Sequence, residues 1–452
     1  MKIPFDENLI NFASSLSAPL YAVGGYVRNF LIGKTVSNDV DLCSSVNIEE
    51  LSSKLKQFGF KIIAEYKRTK TLVFSDGKIK YEFTAMRKDN YMGGGHQPYK
   101  TEYTEDITED ALRRDFKCNA IYYDIAKGIL IDPLNGAKDV ERKILSTVKP
   151  PEQVFCHDGL RLMRLARFAG ELGFKPTEEV LVAMRKYADN ITDIKPERVT
   201  EELKRILVCD EKYWFSDKQG HYTALKILDK TRVLDKIIPE LTLGRGMKQR
   251  ADFHKHDVLE HSLRSFLYAE KSVRLSALLH DIGKPFCFVK AGNFYGHNTV
   301  GESIARQVLL RLKFDKKTID EVCFLVRVHM FDVDLKVKVN NVRLFLTENF
   351  SCLDKIFSVK QADFSASSES KAIAPTIIKW QKILNDMLSS GVPFSIKQLN
   401  ISAKDLIEIG FKGVNLGKEL KRLFKLCVEN PEMNTKDKLI RCALKGLTKK
   451  LP

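Results

Sequence analysis

Near residue 140 the character of the chain changes, and that change constrains the fold more than any other feature. Residues 1 to about 135 alternate strand-like and helix-like segments, as an α/β or α+β domain does. From about 140 onward the apolar periodicity turns helical and stays so. With 452 residues the chain also exceeds what one core encloses, which implies two to four domains. The expected class is α+β: an N-terminal head with a mixed β-sheet and helices, followed by all-α regions.

The head divides into short elements. "PLYAVG" reads as a strand, "GYVRNFLIG" as a helix ended by Gly33, and "DVDLCS" as a second strand. "NIEELSSKLKQFG" is a helix closed by Gly59, and "TLVFSDGKIKYEFTAM" a hairpin turning at Asp76-Gly77. "KCNAIYYDIAKGILIDP" is a further hairpin. Between the hairpins lies a Gly- and charge-rich stretch, 88–110, too long for a plain connector and of the kind that is functional or disordered. "GRGMKQRADFHKH" (244–256) reads as a linker.

Within this frame two acidic residues stand out. In a strand, residues i and i+2 share a face, so Asp39 and Asp41 of "DVDLCS" point the same way. Two carboxylates that close repel unless a cation lies between them, and Mg²⁺ suits one or two carboxylates plus substrate phosphates. A solvated pair at a strand end has the same pattern. The upstream "VGGYVR" shifts the balance: Gly24-Gly25 lets the backbone approach a ligand, the helix start behind it favours phosphate, and Arg28 adds a charge-assisted contact. Together they suggest a nucleotidyl transferase, with Asp39 and Asp41 as catalytic Mg²⁺ ligands. Glu82, on the strand after the Asp76-Gly77 turn, is a candidate third carboxylate, although an exposed structural Glu fits the pattern as well.

These motifs resemble the signature of the class II tRNA nucleotidyltransferase and bacterial poly(A) polymerase family, G-G-x-V-R-[DN]-x-L-x-G…D-x-D-L. Further blocks follow in that family's order. "RRDFKCNAIYYD" is similar to its R-R-D-F-x-x-N-A block, which implies ribose and phosphate contacts from Arg113, Arg114, Asp115 and Asn119. "DPLNGAKD" resembles the hinge between head and neck. "HDGLRLMRLARFAGELGF" resembles the nucleotide-selecting helix, and "PERVTEELKRIL" the neck helix that supports it. The resemblance extends into "ISAKDLIEIGFKGVNLGKELKRLF", similar to the tRNA-handling end of such enzymes.

The selecting segment has its own chemistry. Asp158 and Arg161 stand at i and i+3, neighbours on a helix face, with Arg164 and Arg167 continuing the row. A basic amphipathic helix with Leu162, Leu165 and Phe168 in the core would show this pattern too. The resemblance implies a template instead, with Asp158 accepting from an exocyclic amine and Arg161 donating to the adjacent ring acceptor. Cytosine and adenine fit such a pair, whereas guanine and uracil would turn a carbonyl oxygen toward Asp158. Two positions depart from the family pattern: Asn29 stands for the commoner Asp, and His157 for the commoner Glu.

The helical half holds a second constellation, His261, His280-Asp281, His297, His329 and Asp363. Imidazole and carboxylate ligands suit Mn, Ni, Fe or Zn, and such a metal can generate a hydroxide nucleophile near neutral pH. The order H…HD…H…H…D resembles an HD-superfamily phosphohydrolase. That resemblance implies His261, His280, Asp281 and Asp363 as metal ligands, with His297 and His329 contacting phosphate or a second ion.

Together these similarities imply a catalytic head over 1–139, a nucleotide-selecting neck over 140–243, an HD domain over 244–365 and a tRNA-binding tail over 366–452. They also imply tRNA, CTP and ATP as partners, with CCA addition as the expected activity. CC-adding, A-adding or poly(A)-adding enzymes and a silent RNA-binding relative are the alternatives. The composition agrees. A net charge of +16 suits a polyanionic partner, and the tail carries dispersed basic residues such as Lys421 and Arg422. Nine cysteines without a C-x-x-C pair point to a reducing cytoplasm. No apolar run reaches about 18 residues and the N-terminus lacks a long apolar stretch, so neither a membrane span nor a signal peptide is expected. A monomer or homodimer is anticipated.

Overall fold

The computed structural model describes residues 2–34, 39–90, 99–213, 216–249, 255–369 and 372–448. It separates into two compact units, Met1–Thr242 with Val308–Phe314, and Leu243–Gln307 with Asp315–Pro452.

The first unit begins with the head. Its strands are β1 (Tyr21–Val23), β2 (Asp39–Ser44), β3 (Lys61–Tyr66), β4 (Thr71–Ser75), β5 (Lys80–Ala85), β6 (Arg87–Asn90), β7 (Lys100–Tyr103), β8 (Tyr122–Asp124) and β9 (Ile129–Ile131). Seven of them form one mixed sheet in the order β3-β4-β5-β2-β1-β8-β9. Only β2 and β5 run parallel, with Asp41 opposite Glu82; on its other edge β2 runs antiparallel to β1, with Asp41 opposite Val23. Phe12, Phe60, Phe74 and Tyr81 pack ring on ring behind the sheet, with Phe74 and Tyr81 stacked at 5.0 Å. Both expected hairpins form, β4–β5 and β8–β9. The helix Ile48–Gln57 starts where Asn47 accepts from the Glu49 amide at 3.1 Å and stops before Gly59, whose φ is +77°.

The described ends of the long stretch 88–110 are more ordered than its composition suggests. They pair as the ribbon β6–β7, and a short helix, Ile107–Leu112, follows. Residues 91–98 lie outside the described residues.

Beyond the head the first unit is helical apart from β10 (Ile144–Leu145) and β11 (Lys175–Pro176), a small parallel pair that interrupts the expected all-helical run. The helices Leu160–Leu172 and Gly220–Lys230 cross backbone to backbone where Gly170 meets Gly220, each leaving no room for a Cβ on the other. The segment 157–174, read as one helix, is broken: one helix ends at His157, the next begins at Leu160, and Asp158 between them is extended (φ −150°, ψ 104°). Gly159 permits the break, because a Cβ there would strike the carbonyl of Asn190.

The second unit is helical. Its larger core gathers around the buried Trp380, flanked by the rings of Phe331, Phe345 and Phe357. A smaller core of Leu406, Leu423, Cys427 and Leu439 organises the tail. The segment read as a linker is folded at its described start. The amide of Gly246 donates to Asp257 Oδ2 at 2.7 Å and that of Leu259 to the Gly244 carbonyl at 3.3 Å; residues 250–254 lie outside the described residues. Among the described residues no helix is long and apolar enough to cross a membrane.

Candidate active sites in the head and the helical unit

A cavity of about 330 Å³ opens at the edge where β1, β2 and β5 meet. Asp41, Glu82, Arg113 and Arg114 line it, with Thr69, Thr71 and Arg87 completing the wall. Asp39 and Asp41 share the open face of β2, and Asp39 lies 4.0 Å from Lys80. Gly24 takes φ +76°, and a Cβ there would press on Asp41 Oδ2 at 3.3 Å, so glycine is required both by the turn and by the carboxylate. The Asp41 carboxyl is pushed up from the usual range. Loss of hydration is the main cause; Arg114 opposes it, while Glu82 and Asp39 reinforce it. A divalent cation relieves such crowding, and the strand pairing brings Glu82 opposite Asp41 with Asp39 on the same face of β2.

The arginines are held from beneath. Asp110, fully buried, accepts from Arg113 Nε at 2.7 Å, from Arg114 Nη2 at 3.0 Å and from the Tyr122 hydroxyl at 2.7 Å. Burial works against its charge, but Arg114 and Arg113 outweigh that and hold the carboxyl at about 2. Sequence reasoning missed Asp110. Its signal was the D-x-x-R-R spacing, which places Asp110 one turn before both arginines.

Asp115, Asn119 and Arg28 form a buried relay. Arg28 is 1% exposed and gives Nε and Nη2 to Asn29 Oδ1 at 3.1 and 2.9 Å, and Nη1 to Asn119 Oδ1 at 2.5 Å. It therefore braces the Gly24-Gly25 turn from inside. Asn29, the departure from the family pattern, supplies the clamp. Asn119 in turn donates to Asp115 Oδ1 at 3.3 Å, and Asp115 Oδ2 takes Arg164 through Nε at 2.8 Å and Nη2 at 2.6 Å. Burial would raise the Asp115 carboxyl; Arg164 and Arg161 overcome it and hold it at about 2.

On the selecting helix Arg161 donates through Nη2 to the backbone carbonyl of Arg113 at 2.7 Å, with Nε 4.0 Å from Asp158 Oδ2. Asp158 Oδ1 accepts from the Leu160 amide at 2.9 Å, which ties its carboxylate to the start of the helix that carries Arg161. The two residues do meet, though across a helix start and not along one helix face. Arg167 is 6% exposed and pairs with Glu202 at 2.7 Å and Glu171 at 2.8 Å, which makes it a strut to the helix Pro196–Ile206. Burial, Lys149 and Arg161 push the His157 imidazole down, which favours its neutral form.

In the second unit the residues of the H…HD…H…H…D series converge. Asp281 stands at the centre, 1% exposed. Its Oδ2 lies 3.5 Å from His261 Nε2 and 3.2 Å from His280 Nε2, and its Oδ1 lies 3.2 Å from His297 Nε2 and 3.7 Å from His329 Nε2. Asp363 Oδ1 closes the first group at 3.0 Å from His261. Nδ1 of His280, His297 and His329 each faces a backbone carbonyl, of Ala277, Phe294 and Val326, at 2.7, 2.8 and 2.6 Å. A carbonyl only accepts, so Nδ1 carries the hydrogen and the Nε2 lone pair points inward, the orientation a metal needs.

The spacing fits as well. Ligands about 2.1 Å from one ion stand about 3.0 Å apart in an octahedron and about 3.4 Å in a tetrahedron. Burial disfavours the His280 imidazolium, yet the neighbouring Asp281 and Asp363 carboxylates push its pKa up to about 10. Lys360, which sequence reasoning missed, is buried beside this centre. Its ammonium donates to the carbonyls of His329 and Phe331 at 2.9 and 2.7 Å and lies 4.9 Å from the Trp380 ring.

In the tail Arg422 is held by Glu419 at 2.6 Å and the Cys442 carbonyl at 2.9 Å, and both it and Lys421 are exposed.

Residues 20–146 match the family described as "Poly A polymerase head domain". That match covers the N-terminal head. Residues 173–243 match "Probable RNA and SrmB- binding site of polymerase A", and 258–360 are an HD domain. A "Multifunctional CCA protein" of Xylella fastidiosa (strain M23) is 31% identical over 280 residues, 58% of this chain and 62% of that protein. The "CCA-adding enzyme" of Geobacillus kaustophilus is 34% identical over 209 residues, 46% of this chain and 50% of that protein. The matches thus span less than two thirds of these relatives. The crystal structure of the Bacillus stearothermophilus CCA-adding enzyme in complex with CTP resembles the fold with a TM-score of 0.68 at 23% identity, covering 100% of this chain and 99% of that one. That of the Thermotoga maritima enzyme complexed with tRNA gives 0.58 at 16%, covering 97% and 94%. The polymerase head and its helical continuation therefore have the fold of CCA-adding enzymes.

Proposed function

We propose that this protein adds CCA to the 3′ end of tRNA from CTP and ATP, without a nucleic-acid template. One observation carries the reading: Arg161 is anchored on the carbonyl of Arg113, and Arg113 lines the cavity that Asp41 and Glu82 also line. The base-choosing group and the phosphate-facing group are thus fixed to each other. Mg²⁺ held by Asp39 and Asp41, with Glu82 beside them, supplies activation of the acceptor hydroxyl and charge neutralisation on the departing pyrophosphate. Arg113 and Arg114, kept charged and oriented by Asp110, draw the triphosphate into the cavity. Asp158 accepts from the exocyclic amine of cytosine or adenine, and Arg161 donates to the neighbouring ring nitrogen. A guanine or uracil carbonyl facing Asp158 leaves two acceptors opposed, and that mismatch is the basis of exclusion.

The HD centre supports a second activity. His261, His280, Asp281 and Asp363 fit a resident Mn, Ni, Fe or Zn ion, with His297 and His329 on the far oxygen of Asp281 for phosphate or a second ion. Its substrates are phosphomonoesters or cyclic phosphates at RNA ends: the oxygen of water bonds to phosphorus, one ribose oxygen leaves, and that oxygen takes the proton. The residues about the head cavity and the selecting helix form the polymerase, those about Asp281 the hydrolase, and the tail binds tRNA backbone through exposed lysines such as Lys421.

The deciding assay offers purified protein tRNA transcripts ending before, within and after CCA, with each nucleotide triphosphate supplied singly and together. Sequential incorporation of two C and one A, with GTP and UTP refused, is the expected result. Addition of C alone, A alone or an A tract would assign the corresponding partial polymerase instead.

A further inference from the structure

The stretch from Ile282 to Gly301 contains no acidic residue, while carrying Lys284, Lys290 and four aromatic side chains. The helix Lys284–Ala291 turns Cys287 inward and leaves Phe288 and Val289 outward, 45% and 85% exposed. Tyr295, on the loop that follows, is 88% exposed. Phe288 and Phe294 pack ring to ring at 5.6 Å, tilted by 34°. Apolar surface this open and this contiguous marks a binding face.

Its position ties it to the HD centre. The Phe294 carbonyl holds Nδ1 of His297 at 2.8 Å, so the aromatic loop orients one of the inward-facing imidazoles. Lys284 joins the two sites from the other side, its ammonium 2.6 Å from Asp281 Oδ2 and 5.8 Å from the centre of the Phe294 ring. The aromatic pair therefore lies within one nucleotide's reach of the shared carboxylate. Flat rings on a segment that also carries the exposed Lys290 suit a base with its phosphate, because every base has a face to stack and the phosphate meets positive charge.

We propose that Phe288, Phe294 and Tyr295 form a stacking platform that seats the terminal base of an RNA while its phosphate enters the HD centre. This deepens the hydrolytic reading above and rests on it: the substrate class becomes nucleotides, not phosphate esters in general. Stacking on such a platform contributes about 5- to 100-fold in affinity per base.

The test compares 2′,3′-cyclic AMP with methyl riboside 2′,3′-cyclic phosphate, which lacks the base, for the Mn²⁺-loaded full chain. The wild type should favour the first at least tenfold in kcat/KM. The double variant Phe288→Ala/Tyr295→Ala should lose at least fivefold of that preference. Binding is followed separately by quenching of the 2-aminopurine analogue of the cyclic nucleotide; the variant should bind it at least fivefold more weakly, any head-site contribution being common to both proteins. Equal preference for the two esters in wild type and variant, with equal quenching, overturns the platform. If neither ester is hydrolysed but the quenching difference persists, the hydrolytic reading fails and the platform stands. A wild-type dimer that the double variant dissolves, with base preference unchanged, assigns the face to self-association and overturns the proposal.

Discussion

The two carboxylate centres of this chain solve the same problem, holding a cation against repulsion, in opposite ways. In the head the groups stand on an open strand face, with the Asp39 side chain 78% exposed. In the HD domain Asp281 is 1% exposed and enclosed by imidazoles whose outer nitrogens are already engaged. Open carboxylates leave most of a cation's coordination to water and phosphate, as suits an ion that arrives with its nucleotide. A cage of oriented imidazoles supplies most ligands itself, as suits an ion that stays. On the proposed reading, one centre would be completed by substrate and the other built before substrate comes.

The contrast breaks most sharply under reciprocal substitution. Asp41→Asn should lower nucleotide addition by at least ~10³-fold, with tRNA affinity and HD-bound metal unchanged. Asp281→Asn should leave addition within about twofold, while elemental analysis after dialysis finds the resident metal gone. If either variant disables both functions, the centres are not independent.

A smaller effect is expected at Lys360, which acts on the cage through the backbone carbonyl of His329. Lys360→Met keeps the bulk and removes the donor. Metal affinity should fall about 10- to 100-fold, read by Mn²⁺ titration with electron paramagnetic resonance. Unchanged affinity would show that the turn at His329 holds itself.

The smallest effect concerns acid stability in the head relay. The Asp115 carboxyl lies at about 2 when folded, against an ordinary 3.8. The folded pKa is the lower one, so its contribution is fully present above the unfolded value and is lost as pH falls from about 4 towards 2. A shift of nearly two units corresponds to about 2 kcal/mol. Urea unfolding should show Asp115→Asn destabilised by roughly that amount near pH 6, with the gap narrowing by pH 3. A gap constant with pH would locate the cost in packing.

What the sequence made legible was local. Asp39 and Asp41 share a face because strands alternate, Gly24 was marked by its position before a helix, and the histidine series by its order. What escaped was set by distant pairing. Glu82 reads as a candidate third carboxylate, but its place was not legible: it joins the cavity because β2 and β5 run parallel in a register that no nearby residue dictates. Asp158 looked like an i, i+3 partner of Arg161, yet the helix stops before it because Gly159 packs on the Asn190 carbonyl. Arg28 and Arg167 read as nucleotide-binding cations, and only the folded core reveals their partners Asn29, Asn119, Glu202 and Glu171.

The first unit has one further property, its dependence on a segment translated late. Val308 to Phe314 is counted with it, although the intervening chain is not. There the Leu312 carbonyl accepts from the Thr200 hydroxyl, Arg311 donates to Glu240 Oε2 at 2.9 Å, and Val308, Leu309, Leu312 and Phe314 are buried. A ribosome adding about 5–20 residues per second needs ~4–14 s to travel from residue 242 to residue 314. During that interval the nascent polymerase head and neck lack the piece that covers part of their core. Its apolar seat stays open to water and to neighbouring chains until roughly two thirds of the protein has been made. A slow stretch of codons after residue 242 would lengthen that exposure, and one placed after residue 314 would not.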